Sequence, residues 1–573
     1  MPVEDEYSGW SADLRELLRS IFDAYRFMEM PAERYALVVL LPGIGLSLVI
    51  ALTVFIVSPP LFVAFPIGLL GILPPIVAFI YPKIIADRKR REIREQFHLF
   101  LTHITVLSTT NIDRVEIFRT LAKVDEYGAL AEEMGRVTAL VDTWNQSLDD
   151  ACRRRSKRVS SELLADFLER LAYTVGAGQS LDEFLLDEQE SIIQEFVIRY
   201  ESALSKLEVM KELYLSLMLS VTFILVFATV LPILIGVPPT LLLGGIILMF
   251  GIVQAGFLFV IHTVAPRDPV WLDPESDHSP MYRVRPFLLV GIVLSVLSLG
   301  GVLAIGLGYT PLAPDILPLP VYLAIPTTPL LIPGLVMRRE ERKVTNRDEG
   351  FPSFIRALGG VESVKQTSTA NVLESLRKKD FGALTSNVDN LYKRLRTRID
   401  TEGAWRLFAA ETGSYLIHKF GDMYVVGRRM GGEPQQLGQV ISTNFNEVLR
   451  VREQRQQATT TFIGVVYGIT AASMFSAFIG LGIAEQMLTI TEQIAKQNDK
   501  FIQSLFSTGN YDIAVMEFLL LMVVLINAVL SSLMIRITDR GHFVSGLTHF
   551  VLLVWTGSLV ASITQIVVSG LIA

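Results

Sequence analysis

Four polar side chains lie inside otherwise apolar runs of the sequence, where a polar group is costly. They are Gln254, His262, Glu517 and Asn527. An amide or ionisable group within a membrane span usually bonds another helix or serves a ligand, an ion or a proton. Asn527 lies near the middle of its run, which favours a hydrogen bond to a neighbouring helix. Glu517 lies near the end of its run, within reach of lipid headgroups.

Residues that could support catalysis elsewhere lack the required spacing. The sequence contains no Gly-Lys dipeptide, and therefore no phosphate-binding loop of the kind that holds ATP. His98 and His103 would lie about 140° apart around a helix, which disfavours a shared metal ion. The lone Cys152 excludes a disulfide framework, a CxxC redox site and a multi-cysteine zinc site. We expect no enzymatic activity and no cofactor.

Clusters of basic side chains are the better candidates for a functional surface. One set lies deep within two charged segments and is predicted to dock a protein partner: Arg153, Arg154, Arg155, Lys157, Arg158, Arg377, Lys378, Lys379, Arg394, Arg396, Arg398, Arg428 and Arg429. A second set directly follows two apolar runs: Arg88, Lys89, Arg90, Arg91, Arg94, Arg338, Arg339, Arg342 and Lys343. The alternative is a solvated face or attraction to anionic headgroups, and it carries more weight for the second set.

Long apolar runs define the protein class. Hydrophobic residues make up 51% of the 573 residues, charged residues only 19%, and the mean hydropathy is +0.44. A spanning helix needs about 20 mostly apolar residues. Nine runs qualify: 35–57, 61–81, 213–235, 238–265, 286–308, 316–337, 462–484, 513–535 and 545–571. Run 316–337 contains five prolines, so a broken or re-entrant segment is an alternative there. The composition predicts an all-α polytopic membrane protein.

The distribution of basic residues predicts the orientation of these runs. With the N-terminus inside, 49 of the 51 Lys and Arg residues lie on the cytoplasmic side and only Lys496 and Lys500 lie outside. Residues 1–34 lack the features of a signal peptide and follow the spacing of an amphipathic helix. The predicted order is cytoplasmic segment 1–34, hairpin 35–81, cytoplasmic domain 82–212, four spans in 213–337, cytoplasmic domain 338–461 and three spans in 462–573. The C-terminus is expected outside.

The two large cytoplasmic segments resemble each other. Each opens with a charged run and a one-face apolar stripe, which recurs at a constant offset of 254 residues: Phe97, Phe100 and Leu101 correspond to Phe351, Phe354 and Ile355. A helix-start signal then follows in both, Asp113 with Glu116 and Asn371 with Glu374. Gly178 and Gly432 each lie 81 residues beyond the first phenylalanine of their stripe. We therefore expect a duplicated, all-helical domain, with two unrelated helical insertions as the alternative.

These two segments carry opposite net charge. Segment 82–212 has 19 basic and 24 acidic residues, a net charge of −5, and segment 338–461 has 21 and 15, a net charge of +6. Complementary charge steers docking more than it raises affinity, so the two segments are expected to face different surfaces. The overall net charge of −7 argues against a nucleic-acid partner.

The order of spans and duplicated domains resembles the type II secretion F-domain family. The stretches FHLFLTHITVLSTTNIDRVEIF and LLADFLERLAYTVGAGQSLDEFL carry the local likeness, as helical patterns and not as chemical signatures. Two spans before the first domain and four between the domains are similar to the archaeal branch of that family. The second copy departs from the pattern, since Gly431-Gly432-Glu433-Pro434 replaces Gly176-Ala177-Gly178-Gln179.

The resemblance implies a non-enzymatic membrane platform for a type IV pilus-like filament such as the archaellum, the archaeal flagellum. It implies four kinds of partner: a cytoplasmic hexameric secretion-type ATPase, pilin-like filament subunits, other motor-complex proteins and a second copy of the chain in a homodimer. An adhesive pilus is the alternative filament.

Two functions of other classes compete with the platform. A secondary transporter would suit nine spans and a proline-broken helix, but the repeat lies in the soluble segments and charge within the spans is nearly absent. A membrane-bound sensor or enzyme would use the cytoplasmic domains as its output, and the missing catalytic motifs count against it.

Overall fold

The structure is a computed structural model. It describes residues 32–35, 39–42, 44–45, 47–48, 61–110, 112–235, 238–272, 280–309, 316–366, 369–397, 399–495 and 512–572. Within these ranges the chain is helical and contains no strand, apart from one isolated β-bridge between Trp271 and Ser414. The amphipathic helix expected in 1–34 and most of run 35–57 lie outside the described residues.

The first charged segment, 82–212, continues the helix that begins in run 61–81. Its helices are α1 (Leu61–Ser108), α2 (Arg114–Ala122), α3 (Ala129–Trp144), α4 (Leu148–Ser156), α5 (Glu162–Gly176) and α6 (Leu181–Ile235), with a 3-10 turn at Asp125–Tyr127. The predicted stripe is the core of this bundle, since Phe97, Phe100, Leu101, Ile104 and Leu107 are fully buried. The ring of Phe97 packs edge-on against Phe167, with centroids 5.5 Å apart.

The spans between the two segments are α7 (Pro239–Val264), α8 (Pro280–Gly306) and the start of a longer element. That element comprises α9 (Leu319–Ala324), a 3-10 turn (Ile325–Leu330) and α10 (Leu331–Lys365). The interruption coincides with Pro326 and Pro329, which have no backbone N–H to donate. The Ser295 hydroxyl donates to the carbonyl of Pro326 at 2.6 Å, so α8 satisfies a backbone group freed by the break.

The second segment repeats the element order of the first. After α10 come α11 (Thr369–Leu376), a 3-10 turn (Gly382–Leu384), α12 (Thr385–Arg396), α13 (Thr401–Thr412), α14 (Tyr415–Arg429) and α15 (Pro434–Ala495). Phe351, Phe354, Ile355 and Leu358 are fully buried, as their periodicity predicts. Close contact with α15 depends on Gly359, because a Cβ there would lie 2.2 Å from the carbonyl oxygen of Pro434.

The predicted helix starts and turn glycines of the repeat agree with the structure in the first copy but not in the second. Asp113 is the N-cap residue of α2, whereas Asn371 lies inside α11, which already begins at Thr369. The turn glycine of the second copy is Gly431 and not the expected Gly432. Gly178 and Gly431 both have φ of +85°, and each closes its helix with the same pair of backbone hydrogen bonds. The duplication of the domains itself stays a prediction.

Within the part of the chain that the structure describes, seven helices are long and apolar enough to cross a membrane: Leu181–Ile233, Pro239–Val264, Tyr282–Gly306, Leu319–Lys365, Pro434–Ile490, Ile513–Asp539 and Phe543–Gly570. The last two correspond to α16 (Ile513–Asp539) and to a 3-10 turn (Phe543–Ser545) followed by α17 (Gly546–Ile572). These seven match seven of the nine predicted runs, and the chain is a multi-pass membrane protein. Run 61–81 is helical within α1 but is not among the seven.

The described chain forms two compact units. One contains residues up to Ile193 together with Val426–Glu433, and the other contains Gln194–Val425 together with Pro434 and all later residues. The second unit holds the apolar core of α6, α7, α15, α16 and α17, which includes Tyr214, Phe250, Phe462 and Val524. All of the polar sites between spans that follow belong to this second unit.

Candidate functional site

Two of the four polar residues predicted within the spans meet in one hydrogen-bonded network. Gln254 of α7 donates from Nε2 to Oδ1 of Asn527 on α16 at 2.6 Å. Asn527 donates in turn to the Thr470 hydroxyl of α15 at 2.7 Å. Tyr214 of α6 lies within hydrogen-bond distance of both Gln254 and Ser531. The network, which we call the span layer, therefore joins four helices inside the apolar core.

The other two polar residues lie elsewhere. His262 is exposed on the side of α7. Glu517 accepts a hydrogen bond from Nε2 of Gln565 on α17 at 2.7 Å. It lines a cleft of about 530 Å³ at the N-terminal end of α16, together with Glu485 of α15. Neither residue contacts the span layer.

The most heavily charged buried site of the second unit was not predicted. Arg452 of α15, only 3% exposed, binds Asp268 through two hydrogen bonds of 2.8 and 2.6 Å. Its remaining terminal nitrogen donates to Asp348 of α10 at 3.0 Å, and that carboxylate is 1% exposed. Arg540, which follows α16, donates at 2.8 Å to Oδ2 of Asp268, the oxygen that also accepts from Nε of Arg452. We call these four residues, together with Arg455, the charged layer.

Backbone contacts attach the loop that carries Asp268 to the second helical segment. The amide of Leu272 donates to the carbonyl of Gly413 at 3.0 Å, and the amide of Tyr415 donates to the carbonyl of Val270 at 3.1 Å. The hydroxyl of Ser414 donates to Asp348. The short loop after α7 is therefore fixed both by ion pairs and by a β-bridge.

Arg455 holds a different set of acceptors. It donates to the carbonyl oxygens of Ile537 and Thr538 at the end of α16, to the carbonyl of Pro266 and to the Tyr200 hydroxyl of α6. The last carbonyls of a helix have no partner within the helix and carry partial negative charge, so a buried guanidinium is a suitable cap. Among the described residues Arg455 forms no ion pair.

The two carboxylates of the charged layer differ in their electrostatics, because burial outweighs the nearby guanidiniums at Asp348 and raises its pKa to about 6. Burial by itself would raise the pKa of Asp268, but the guanidiniums of Arg452 and Arg540 outweigh burial and hold the pKa well below its usual value. The Asp268 carboxylate therefore stays charged at neutral pH. It forms a buried ion pair where the loop after α7 meets α15 and the C-terminal end of α16. Such a pair fixes geometry more than it adds net stability.

The basic cluster of the first segment divides into paired and exposed members. Arg155 forms an ion pair with Glu133 at 2.5 Å and is largely buried. Arg153, Arg154, Lys157 and Arg158 are exposed. The guanidinium of Arg154 stacks over the ring of Trp144, itself 68% exposed, at 6.0 Å from the centroid.

Several basic residues of the second segment are engaged within the chain. Arg377 forms an ion pair with Asp389 at 2.8 Å, Arg394 pairs with Glu411, and Arg396 donates to the Tyr392 hydroxyl. Lys378, Lys379 and Arg429 are exposed, and Arg428 donates to the carbonyl of Gly432 at 2.6 Å. Arg398 lies outside the described residues.

The set of basic residues that follows the apolar runs divides in the same way. Lys89 pairs with Glu132, Arg90 donates to the carbonyl of Ser160, and Lys343 pairs with Glu340. Four members are exposed along their helices without such a pairing: Arg88, Arg91, Arg94 and Arg339. Arg338 and Arg342 line a second cleft, which lies between α10, α15 and α16.

No part of the described chain brings together three His, Cys, Asp or Glu side chains that could hold a metal ion. His103 instead hydrogen-bonds the Tyr127 hydroxyl at 3.1 Å. The arrangement of the charged layer and the span layer is suited to holding helices in register. Sequence reasoning missed the charged layer because its partners lie far apart in the chain. The only signal was the spacing of Arg452 and Arg455, one turn apart ahead of an apolar run.

Comparison with known proteins covers nearly the whole chain. The profile of the family "Type II secretion system (T2SS), protein F" matches residues 100–229. Flagella accessory protein J of Methanocaldococcus jannaschii is 32% identical over 553 residues, which is 96% of this chain and 98% of that protein. Flagella accessory protein J of Methanococcus voltae is 32% identical over 559 residues, covering 96% and 99%. No solved structure shows significant similarity to the chain.

Proposed function

Because the chain belongs to the family of flagella accessory protein J, we propose that it is the membrane platform on which an archaellum is assembled. The observation that carries this proposal is similarity over 96% of the chain to proteins of that name, together with the match to protein F of type II secretion. Seven apolar helices place such a platform in the cell membrane. Its work is mechanical, and it has no ATPase activity of its own.

We further propose that both helical segments face the cytoplasm and that the C-terminus lies outside. The support is the 49 to 2 division of basic residues between the two sides. A cysteine at Gln366 should be protected from an impermeant reagent on intact cells, whereas one at Asn498 should be labelled. Labelling at Gln366 in sealed cells would overturn the orientation.

The energy for assembly comes, in this proposal, from a cytoplasmic hexameric ATPase that docks on the helical segments. Exposed Arg153 and Arg154 with Trp144 and Tyr173 (77% exposed) have the composition of a binding hot spot, since Arg, Trp and Tyr dominate such sites. In the second segment Lys378, Lys379 and Arg429 are exposed at the surface. The acidic side of the contact would lie on the ATPase.

Motion is then transmitted along helices that run without a break from segment to span. Helix α15 has 62 residues and is about 93 Å long, enough to cross the bilayer and extend far beyond it. The charged layer attaches this helix to α16 and to the loop after α7. Filament subunits with apolar helices would be handled among the spans, in a homodimer with other motor-complex proteins around it.

The experiment is a gene deletion with complementation, scored for filaments by electron microscopy and separately for swimming and surface adhesion. Loss of swimming filaments alone supports the archaellum, and loss of adhesion alone supports the adhesive pilus.

For the ATPase contact, Arg153→Glu/Arg154→Glu is compared with Arg91→Glu/Arg94→Glu, the same charge change on exposed residues of α1. Pull-down of the ATPase should fail for the first variant only. Equal pull-down by both would remove this docking surface from the proposal, and ATP hydrolysis by the purified chain would contradict its non-enzymatic role.

A further inference from the structure

A polar cleft of about 370 Å³ opens beside the charged layer, between α10, α15 and α16. Its basic wall contains Arg338, Arg342, Arg452, Arg455 and Arg540, and its acidic wall contains Glu341, Glu349 and Asp539. The volume lies at the lower end of the range of about 300–1,000 Å³ found for small-molecule sites. Neither the span layer nor the proposed ATPase contact uses this cleft.

The position of the cleft places it at the level of the lipid headgroups. Arg338 is the first charged residue after the apolar part of α10, and Asp539 is the last residue of span helix α16. Ile463, which also lines the cleft, lies at the start of the apolar run 462–484 of α15. All three walls therefore change from apolar to charged at the same depth.

Three members of the basic wall, Arg338, Arg342 and Arg455, form no ion pair within the described residues, whereas Arg452 and Arg540 are paired with Asp268. Buried Arg455 has carbonyl and hydroxyl partners but forms no ion pair among the described residues. Arg338 and Arg342 lie one turn apart on the same face of α10. The guanidinium of Arg338 lies 3.3 Å from Nε2 of His549, and Arg342 is exposed at the mouth. Three guanidiniums thus converge on one cavity, a geometry suited to a phosphate oxygen cluster.

The acidic wall further restricts the chemical class of ligand that the cleft can bind. A bare phosphate would meet Glu349 and Asp539 unfavourably, whereas hydroxyl groups attached to a phosphate can donate to these carboxylates. We propose that the cleft binds the headgroup of an anionic lipid of the phosphoglycerol class, with the phosphate on the arginines and the hydroxyls on the carboxylates. Free glycerol phosphate has the same polar chemistry and differs only in lacking the acyl or alkyl chains.

The test uses the full-length protein purified in detergent and native mass spectrometry. Dioleoyl phosphatidylglycerol is titrated in parallel with dioleoyl phosphatidylcholine, and the fraction of protein with bound lipid is measured. Wild type should prefer phosphatidylglycerol. Arg342→Gln should weaken its binding about fivefold, the contribution of one basic side chain at a membrane surface. Arg339→Gln is the matched control, because Arg339 is equally exposed on the same turn but does not line the cleft.

Three results would overturn the proposal. Equal loss in Arg339→Gln and Arg342→Gln would show unspecific attraction of the basic turn to any anionic surface. Equal binding of the two lipids by wild type would show that no anionic site exists. Displacement of bound phosphatidylglycerol by millimolar glycerol 3-phosphate would show that the cleft binds a soluble ligand and not a lipid. Failure to displace the lipid supports the proposal. Arg342→Lys, which keeps the charge, should bind nearly as well as wild type, and unchanged gel-filtration profiles confirm folding of each variant.

Discussion

Replacement of Arg452 by methionine is the sharpest test of the charged layer. The substitution keeps an unbranched side chain but removes the two hydrogen bonds to Asp268 and the one to Asp348. Two buried carboxylates then lose their main cation, and breaking a buried pair in this way costs about 3–5 kcal/mol. Most of this cost is the penalty of leaving Asp348 buried without its ion-pair partner, because Asp268 keeps its pair with Arg540, and it should appear as reduced stability of the second unit.

The assay is thermal unfolding of the full-length protein in detergent, followed by the loss of monodisperse protein on gel filtration after heating. Arg450→Met is the matched control, because Arg450 lies two residues away on α15, is 56% exposed and pairs with half-buried Glu447 at 3.1 Å. An exposed pair contributes only about 0.2–1 kcal/mol, so this variant should unfold near the wild-type temperature. Equal effects of the two variants would refute the assignment of Arg452 as the central cation.

The pH dependence gives an independent check on the same residue pair. The folded-state pKa of Asp268 lies below its unfolded value, so its contribution to stability is fully present above the unfolded pKa, about 3.9. That contribution is lost as the pH falls through the lower, folded-state value. In an Asp348→Asn background, which removes the neighbouring carboxyl whose pKa burial raises to about 6, the stability difference between Asp268 and Asp268→Asn should therefore stay constant from pH 8 to about pH 5 and shrink only in stronger acid. A difference that already disappears between pH 7 and 6 would contradict the ionised assignment.

Three further predictions address other parts of the molecule. Burial raises the pKa of Cys152 to about 12, so maleimide should label it only after unfolding, and rapid labelling of the native protein would contradict this packing. Gln254→Leu should lower stability in detergent by about 0.6–2 kcal/mol through loss of the bond to Asn527, and Gln565→Leu, outside the span layer, serves as its comparison. Gly359→Ala should destabilise the α10–α15 contact measurably in thermal unfolding, whereas Gly360→Ala, which has open space at its Cβ, should be tolerated.

Features set by a single physical constraint were predictable from the sequence. Crossing a bilayer requires about 20 apolar residues in a helix, and of the nine runs predicted on this basis seven correspond to spanning candidates among the described residues. The buried phenylalanines of both segments follow from helical periodicity, because Phe97, Phe100, Phe351 and Phe354 repeat on one face. Helix ends were less predictable, as Asn371 shows, because one more turn of helix changes the energy only slightly.

Pairings between distant residues were not predictable. Asp268 and Arg452 are separated by 184 positions, and nothing in a single sequence specifies which carboxylate meets which guanidinium. The same uncertainty affected the basic clusters, where Arg155 and Arg394 turn out to serve internal ion pairs while Arg154 remains exposed. Charge clustering indicates that a surface is polar, but only packing decides which members are available to a partner.

If a helical segment drives the spans as proposed, the two polar layers would make α6, α15 and α16 move together. Helix α6 is bonded to Arg455 of the charged layer through Tyr200 and contributes Tyr214 to the span layer. These two tyrosines lie about 21 Å apart along the helix. Helix α15 contributes Arg455 and Thr470, about 22 Å apart, and α16 contributes the Thr538 carbonyl and Asn527, about 16 Å apart. Each helix is thus bonded to the others at two depths, which opposes both sliding and rotation. A displacement applied to α15 outside the membrane would therefore reach α6 and α16 as a joint movement instead of being absorbed by slippage between apolar surfaces.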